Sequence, residues 1–553
     1  MNPTYSDSGI HKPLSPAPEQ SQPEEAPTGV SAGRDVTLYH NNNSPFLHLP
    51  ELTQLKIIRC LGFRDITRLA EVCRYFRDFV NETNALGRAW NRRFPSPYLY
   101  QLKTSIKTKD EQQLRDWFKP MANTGTVESL IERRKNIYFP VQLLFTNSKL
   151  MSQSKEFELV EKAVVRHDNT IYCASLSLDG QHLATASYDK SAKIYALETN
   201  GSWQKKATIT HSRPVKSVVF SPDGRYLVTA SWDGKAKIYG LEDDGSWEEK
   251  ACISHGEMLC SAKFSADGRR VVTVSLNDSV KIIHRENNGS WQVEDTILHN
   301  EQVYSAKLSS DGHHLVVFGF LDNVVEIYGQ SAAGSWVVTS TIKSRFNIRT
   351  GNLSADSCHL VLTTYAYKAI IFDLQADGSW KEMGSIEHDH SIKSANFSPD
   401  SLHLATASDD GTAKIYSQNA GSWEQKACIV HHGRVKSASF SADCQHVLTI
   451  GADAIAKIHS LQTDGSWQPK ANIVHQDKIL SAAFSPDACH LVTYSDDGTV
   501  RILGQQADGS WLQKTAVHNS IRFRAACFSA DSRNVAAIGH EYSLRITELW
   551  KKD

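Results

Sequence analysis

Hydrophobic and polar positions alternate over short runs through most of the chain, and the runs return at a fixed period. In one unit the run VKSVVFS ends at the turn Ser-Pro-Asp-Gly, and the run YLVTAS ends at Asp233-Gly234. AKIYGL follows, and after another turn comes WEEKACIS. Alternation with a period of two predicts half-buried strands, and Asp and Gly supply the backbone conformations that tight hairpins need. The pattern therefore predicts units of four short antiparallel strands.

The tripeptide Gly-Ser-Trp marks each unit. It occurs eight times at intervals of 43–45 residues, at Trp203, Trp247, Trp291, Trp336, Trp380, Trp423, Trp467 and Trp511. Four short strands at this period predict the blades of a β-propeller, whereas a parallel β-helix has a shorter period and a helical solenoid has 3.6-residue apolar spacing. We expect the tryptophans to pack between neighbouring blades, because a large aromatic ring contributes most when it is buried.

The number of blades follows from counting three-strand phrases. They begin after His167, His211, His255, His299, Ser344, His388, His431, His475 and His518. The segment FELVEKAVVRH in front of the first phrase reads as a lone fourth strand, with Leu159 at the Trp position, and the last phrase lacks a fourth strand. Pairing the two would close the ring and remove both free edges. Residues 153–553 are therefore predicted to form nine blades; eight blades with a stray terminal sheet is the alternative.

Four polar positions in each unit resemble those of WD repeats. Blade two has His211, Ser231, Asp233 and Tyr239, although Ile-Tyr replaces the Trp-Asp dipeptide of that family. The resemblance implies that these side chains are linked by hydrogen bonds. A hydrolase triad is the rival interpretation, but recurrence in blade after blade favours a structural role. Asn277, Ser344 and Glu541 replace members of the set in blades three, five and nine, where we expect less rigidity.

The residues before the propeller divide into three parts. Residues 1–44 are rich in Pro, Ser, Glu and Gln and are predicted to be a disordered tail. Residues 45–94 show two helical patterns of apolar spacing, and residues 95–152 are predicted to be a helical linker from LRDWFKPM and VESLIERRKNIYF. The fold class is therefore a mainly β propeller preceded by a small all-α domain and a linker.

The helical segment resembles an F-box. Leu-Pro at 49–50 is followed at the expected separations by Asp-Ile at 65–66 and Val-Cys-Arg at 72–74, whereas Thr53, Gln54 and Phe76 depart from the usual residue types. The resemblance implies binding of a Skp-type adaptor and its cullin complex through Leu49, Pro50, Leu52, Ile57 and Leu61. The alternative is a helical hairpin that caps the propeller.

An F-box followed by a WD-type propeller resembles the substrate receptors of cullin–RING ubiquitin ligases. The resemblance implies a non-enzymatic adaptor without cofactors, which holds a protein substrate for ubiquitination. No metal-ligand spacing, nucleotide-binding glycine loop or isolated nucleophile motif is present in the sequence, so an enzyme lacks support. A scaffold with no ligase role is the alternative, and a host-directed bacterial effector is one form of it.

In receptors of this kind the substrate binds at the top of the propeller. The side chains that reach it come from the position just before the small residue of each innermost strand. That register holds Tyr172, Lys216, Cys260, Tyr304, Arg349, Lys393, Lys436, Leu480 and Arg524. Arg349, Lys393 and Lys436 form a contiguous basic arc, which predicts an acidic or phosphorylated peptide as ligand. Lysines as solvated repeat residues are the alternative. A second register before the turn Asp adds Tyr188 and Trp232 as an apolar anchor, and also Leu321, Ala452, Asp409 and Asp496, of which the two carboxylates would oppose an anion.

Composition restricts the setting. The formal net charge of −1 gives no global attraction to nucleic acid or to anionic membranes. The ten cysteines show no CxxC pair, which indicates a reducing compartment rather than a disulfide framework. No signal peptide and no 18-residue apolar stretch is visible. We expect a cytoplasmic protein, or one in the host cytosol if it is a bacterial effector.

Overall fold

The computed structural model describes residues 110–132, 134, 143, 146, 147, 150, 151 and 153–552. Short gaps within the last range fall at 178, 199–200, 277–278, 300–302, 311, 320–322, 332–333, 420, 507, 519–522, 530–531 and 540. The predicted tail and the F-box lie outside the described residues, as do Asn277 and Leu321.

Thirty-six strands form nine four-stranded antiparallel sheets, which are the nine predicted blades. The alternative of eight blades is wrong. Within a blade the first strand lies at the inner edge and the fourth at the outer edge, because each strand pairs with the next along the chain. Most consecutive strands of a blade are joined by a short turn that contains Asp or Gly, of which Gly234 is an example. Its φ is +77°, and a Cβ there would come within 2.9 Å of the Glu257 carbonyl oxygen.

The blades have the following strands. Blade one contains β2 (Ile171–Leu176), β3 (His182–Ser187), β4 (Ser191–Leu197) and β5 (Trp203–Thr210); blade two β6 (Val215–Phe220), β7 (Tyr226–Ser231), β8 (Lys235–Leu241) and β9 (Trp247–Ser254); blade three β10 (Leu259–Phe264), β11 (Arg270–Ser275), β12 (Ser279–Arg285) and β13 (Trp291–Leu298). Blade four contains β14 (Val303–Leu308), β15 (His314–Gly319), β16 (Val324–Gln330) and β17 (Trp336–Lys343); blade five β18 (Ile348–Leu353), β19 (His359–Thr364), β20 (Lys368–Leu374) and β21 (Trp380–Glu387); blade six β22 (Ile392–Phe397), β23 (His403–Ser408), β24 (Thr412–Asn419) and β25 (Ser422–Val430). Blade seven contains β26 (Val435–Phe440), β27 (His446–Gly451), β28 (Ile455–Leu461) and β29 (Trp467–Val474); blade eight β30 (Ile479–Phe484), β31 (His490–Ser495), β32 (Thr499–Gln505) and β33 (Trp511–His518); blade nine β34 (Phe523–Phe528), β35 (Asn534–Gly539) and β36 (Ser543–Lys551).

Blade nine is completed by β1 (Phe157–Arg166), the strand from the front of the propeller. β1 pairs with β36, and Leu159 lies opposite Leu549, in the place where Trp247 lies opposite Leu241 in blade two. An ion pair of 2.7 Å between Glu161 and Arg545 adds to the backbone ladder. The predicted closure of the ring is confirmed: β36 is paired on both sides, and β1 takes the place of the missing fourth strand at the outer edge.

The recurrent tryptophans pack between blades. Trp247 of blade two is 8% exposed, and its ring centroid lies 5.6 Å from that of His182 in blade one. The Phe220 ring of its own blade is 5.8 Å away. The same arrangement recurs at Trp467, with His403 at 5.5 Å and Phe440 at 5.9 Å. Aromatic rings in such tilted and edge-on contacts stabilise the seam between neighbouring sheets.

In the part of the chain before the ring that the structure describes, α1 (Glu111–Phe118) and α2 (Thr124–Ile131) are helices. Residues 143, 146, 147, 150, 151 and 153 are helical as well. α1 begins earlier than the predicted LRDWFKPM, because Asp110 and Gln113 form a capping box, and it ends before Pro120. α2 likewise begins earlier than the predicted VESLIERRKNIYF, because the Asn123 side chain caps the Thr126 amide.

The linker packs on one edge of the ring. We call the edge where the inner strands begin the upper edge, and the edge where they end the lower edge. Leu114 and Phe118 of α1 are fully buried in a cluster with Ala488, which lies in the lower-edge turn of blade eight. Arg533, in the equivalent turn of blade nine, bonds the Trp117 carbonyl and lies 4.8 Å over its ring. The linker therefore covers part of the lower edge. In the described part of the chain no helix is long and apolar enough to cross a membrane.

Candidate functional site

Every inner strand has a β-bulge at its second residue. In blade two Val215 pairs with Ser231 and Ser217 pairs with Ala230, so Lys216 is the extra residue. The other eight inner strands show the same shift in register, at the residues that the sequence predicted to reach the top of the ring. A bulge redirects one side chain without ending the strand. It thus gives the predicted register a structural basis. The side chains of Tyr304 and Arg524 lie outside the described residues.

Blades one and two bring three aromatic side chains together at the upper edge. The ring centroid of Tyr172 lies 6.0 Å from Tyr188 and 5.9 Å from Trp232, and those two rings are 6.0 Å apart. The Lys216 ammonium lies 4.3 Å over the Tyr172 ring. Tyr188 is 44% exposed, so solvent and a ligand can reach this aromatic cluster. Tyr and Trp on an accessible surface are typical of binding hot spots.

Arg349 and Lys436 of the predicted basic arc both bond to the next blade. The Arg349 guanidinium donates to the Ser391 hydroxyl and, at 3.1 Å, to the Ile392 carbonyl. The Lys436 ammonium donates at 2.8 Å to the Ile479 carbonyl, and burial lowers its pKa. These acceptors are neutral, and the bonds fix the positions of both side chains.

Lys393, the middle residue of the arc, has a different partner. Its ammonium lies 2.7 Å from the carboxylate of Asp409, whose side chain is only 6% exposed. His390 is a more distant neighbour of the same carboxylate, at 3.9 Å. The Lys393 side chain itself is 35% exposed, so the nearby carboxylate offsets part of its charge toward a ligand. The structure therefore splits the arc: Arg349 and Lys436 bond to neutral acceptors, Asp477 and Asp496 lie near Lys436, and Lys393 between them is in an ion pair.

Further exposed apolar side chains lie in the upper-edge turns. Tyr365 is 48% exposed and Leu276 41%, at the positions equivalent to Tyr188 and Trp232. Tyr367, 40% exposed, stacks on the ring of His390 at 5.3 Å. The sequence analysis did not select these three residues. The 44-residue spacing from Tyr188 points to Leu276 and Tyr365, but the turn that exposes Tyr367 lacks the Asp that marks most blades.

Beneath the upper edge, blades one, two, six, seven and eight each hold a buried polar network. In blade two the His211 imidazole contacts the Asp233 carboxylate at 2.9 Å and the Thr229 hydroxyl at 3.0 Å. Ser231 bonds instead to the carbonyls of Arg213 and Pro214, both at 3.0 Å. The prediction for Tyr239 is wrong, because its hydroxyl donates to Glu249. Thr229, which was not predicted, takes its place in the network.

These networks are structural. The His–Thr–Asp arrangement recurs in blades one, two, six, seven and eight, and all five imidazoles are fully buried. A substrate cannot reach them. Burial raises the pKa of Asp410 in blade six, but hydrogen bonds from Thr412 and His388 outweigh it and hold the pKa at about 2. The carboxylate is therefore charged and fixes the turn that carries Asp409. Among the described residues no group of three or more His, Cys, Asp or Glu could hold a metal ion.

Comparison with known families agrees with the two-part organisation. Residues 46–94 match the F-box-like family. Residues 160–196, 203–240, 380–417 and 467–502 match the WD domain, G-beta repeat. The chain is an F-box/WD-repeat protein. The four matched stretches end in blades one, two, six and eight, all of which carry the His–Thr–Asp network. Blade seven has the same network without a match of its own, so the network alone does not decide where the family model matches.

The solved structures to which the chain is similar have low sequence identity to it. Sqt1 from Chaetomium thermophilum has a TM-score of 0.50 and 13% identity, with 72% of this chain and 100% of that chain covered. Sqt1 from Saccharomyces cerevisiae has a TM-score of 0.49, 14% identity and coverage of 71% and 99%. The C-terminal WD40 domain of Sif2 has a TM-score of 0.48, 16% identity and coverage of 70% and 98%. No curated protein matches the sequence. The likeness to Sqt1 from Chaetomium thermophilum concerns the fold alone.

Proposed function

We propose that this F-box/WD-repeat protein is the substrate receptor of an SCF-type ubiquitin ligase. The observation that carries the proposal is the F-box-like match at residues 46–94 in the same chain as a closed propeller. In this role Leu49, Pro50, Leu52, Ile57 and Leu61 bind a Skp-type adaptor, which joins the chain to a cullin. The receptor does no chemistry. It raises the effective concentration of a substrate beside the ubiquitin-loaded enzyme.

The position of the linker supports the proposal that adaptor and substrate bind at different parts of the chain. Leu114 and Phe118 pack on the lower edge, whereas the aromatic cluster lies on the upper edge. A substrate on the upper edge therefore does not compete with the linker for surface. The buried contacts of Arg533 hold the linker rigidly against blade nine, so the propeller orients what it binds.

The substrate in this proposal is an acidic or phosphorylated peptide with one apolar anchor. Tyr172, Tyr188 and Trp232 receive the anchor, and Arg349 and Lys436 attract the acidic groups. The cytosol is the proposed compartment, since the eight described cysteines are free thiols.

A purified Skp-type adaptor tests the ligase role. We expect it to co-purify with the full-length chain, and we expect Leu49→Ala combined with Pro50→Ala to abolish the complex. Leu512→Ala, an exposed change on an outer strand, is the matched control and should leave the complex intact. Absence of a complex, or one that survives the double substitution, would favour the alternative of a scaffold with no ligase role. The polar residues Thr53 and Gln54 are the sequence feature that favours that alternative.

The substrate surface needs a separate test. A fluorescent peptide rich in Glu with one Leu, with or without a phosphoserine, should bind the full-length chain with steep salt dependence. Arg349→Glu with Lys436→Glu should remove most of the affinity, and Trp232→Ala should weaken it at every salt concentration. Lys381→Glu, on an outer strand, is the control. Affinity that the double charge reversal leaves unchanged would contradict an acidic ligand.

A further inference from the structure

The lower edge of the central channel holds two adjoining cavities. The larger, of 630 Å³, is lined by the ends of the inner strands of blades one to four, including Phe220, Lys263, Phe264 and Lys307. The smaller, of 310 Å³, continues along blades four to six and shares Lys307 with the first. A volume of this size is typical of small-molecule sites. We call the two together the lower channel pocket.

Lys307 lies where the two cavities meet. Its ammonium donates at 2.8 Å to the Gly351 carbonyl and also bonds the side-chain oxygen of Asn352 in the next blade. Both acceptors are neutral. Burial, together with nearby Lys263, lowers the pKa of Lys307 to about 8. A desolvated ammonium beside a second one is unfavourable unless an anion joins them.

The bond from blade four to blade five does not require a charge. At the same register of the inner strand, blade five has Asn352, whose amide donates at 2.6 Å to the Ala395 carbonyl. Blade six has Asn396, whose amide donates at 2.9 Å to the Ala438 carbonyl. Neutral amides thus make the same connection between blades. The charge of Lys307 is left without a structural purpose.

Lys263 occupies this register in blade three. Its side chain is exposed, and it has no hydrogen bond or ion pair with any residue that the structure describes. The described residues that line the pocket include no carboxylate, whereas Phe220, Phe264 and Leu308 give it apolar walls and Ser310 adds a hydroxyl group. The pocket therefore combines two uncompensated cations with apolar surface.

We propose that the lower channel pocket binds a small organic anion, in which a phosphate or carboxylate group is attached to an apolar body. Lys307 and Lys263 hold the anionic group, the Ser310 hydroxyl donates to it, and the apolar body lies against Phe220 and Phe264. The site lies at the opposite edge from the proposed substrate surface, and it does not depend on the ligase role.

Isothermal titration of the full-length chain with three probes tests the proposal. Phenyl phosphate has both the charge and the ring, inorganic phosphate has the charge alone, and benzyl alcohol has the ring alone. We expect phenyl phosphate to bind most tightly. Lys307→Gln keeps a donor for the Gly351 carbonyl but removes the charge, and it should weaken phenyl phosphate about tenfold, which corresponds to the loss of one charge-assisted hydrogen bond. Lys263→Gln should weaken it by a similar factor.

Two controls separate binding from folding. Lys381→Gln removes an exposed lysine on β21 and should not change the affinity. The melting temperature of Lys307→Gln should equal that of the parent, because an amide replaces the ammonium as it does in blades five and six. Failure of phenyl phosphate to bind would overturn the proposal, as would equal affinity for benzyl alcohol or an affinity that both pocket substitutions leave unchanged.

Discussion

Blades five and six are neighbours that form the same kind of four-stranded sheet, but the interior of one is apolar where that of the other is polar. In blade six His388 contacts Asp410 at 2.7 Å and Thr406 at 2.8 Å. Blade five has Ser344 in place of the histidine and Leu362 in place of the threonine. Leu362 is fully buried, and Ser344 accepts a hydrogen bond from the Phe346 amide at 3.1 Å. Polar partners in one blade are replaced by apolar packing in the other.

The difference between the two blades shows that a blade can form without the polar network. Both blades have four strands with the same register shifts, and residues from both meet in one apolar cluster that includes Val361, Ile371, Ala395 and Leu404. A buried polar group is stable when it is fully paired, and an apolar group of similar size serves equally well. A blade is destabilised when a buried polar group is left without its hydrogen-bond partner.

The largest expected effect is in the apolar blade. Leu362→Ala should lower the free energy of unfolding by about 3 kcal/mol, because it removes buried methyl groups and leaves a cavity. Urea denaturation of the full-length chain measures it. Leu402→Ala, at a leucine that is 51% exposed, is the control and should change little. A loss as small as that of the control would mean that blade five contributes nothing to the ring.

A smaller loss is expected in the polar blade. Asp410→Asn should cost about 2 kcal/mol, because the Asp410 side chain is 9% exposed and its charge-assisted bonds to His388 and Thr412 are lost. The reciprocal change in blade five, Ala366→Asp, should bring no stabilisation, since Ser344 cannot replace the imidazole. If Ala366→Asp stabilised the chain, the networks would not depend on the histidine, and the comparison of the two blades would fail.

The smallest effect concerns pH and blade three. There Thr273 and Ser279 contact the His255 imidazole at 2.7 and 3.0 Å, and burial with nearby Lys281 lowers its pKa to about 4. The unfolded chain takes up this proton near the ordinary histidine pKa, so the folded state loses stability as the pH falls below about 6.5. Between pH 8 and pH 6 the contribution of His255 should be about 1 kcal/mol.

His255→Gln should reduce that pH dependence by the same amount, as measured by the urea midpoint at pH 8 and pH 6. His390→Gln, at a histidine on the surface, is the control. An unchanged pH dependence in the first variant would show that the acid sensitivity arises elsewhere.

Much of the ring could be predicted from the sequence, because period, alternation and turn residues agree in most units. The pairing of β1 with β36 followed from counting fourth strands. Thr229 could not be recognised, since a threonine inside a strand also fits an ordinary β propensity. Tyr239 was misplaced because the family pattern, rather than any property of this sequence, assigned it to the network.

The binding surfaces were only partly predictable. The register of Lys216, Arg349 and Lys436 follows from the repeat, but the partner of Lys393 does not, since Asp409 lies on another strand connection. The lower channel pocket was not predicted. Its lysines differ from their neighbours in type, yet only the fold shows that Lys263 and Lys307 line one cavity.

The closing blade has a consequence for how the protein is made. β1 leaves the ribosome early, but its partner β36 follows only near the end of synthesis, and the ion pair between Glu161 and Arg545 joins residues 384 apart in sequence. At ordinary translation rates this interval is on the order of 20–80 s. During that time the edge of β1 has no partner and can pair with other chains. We therefore expect newly made chains to need chaperones until the last strand is complete.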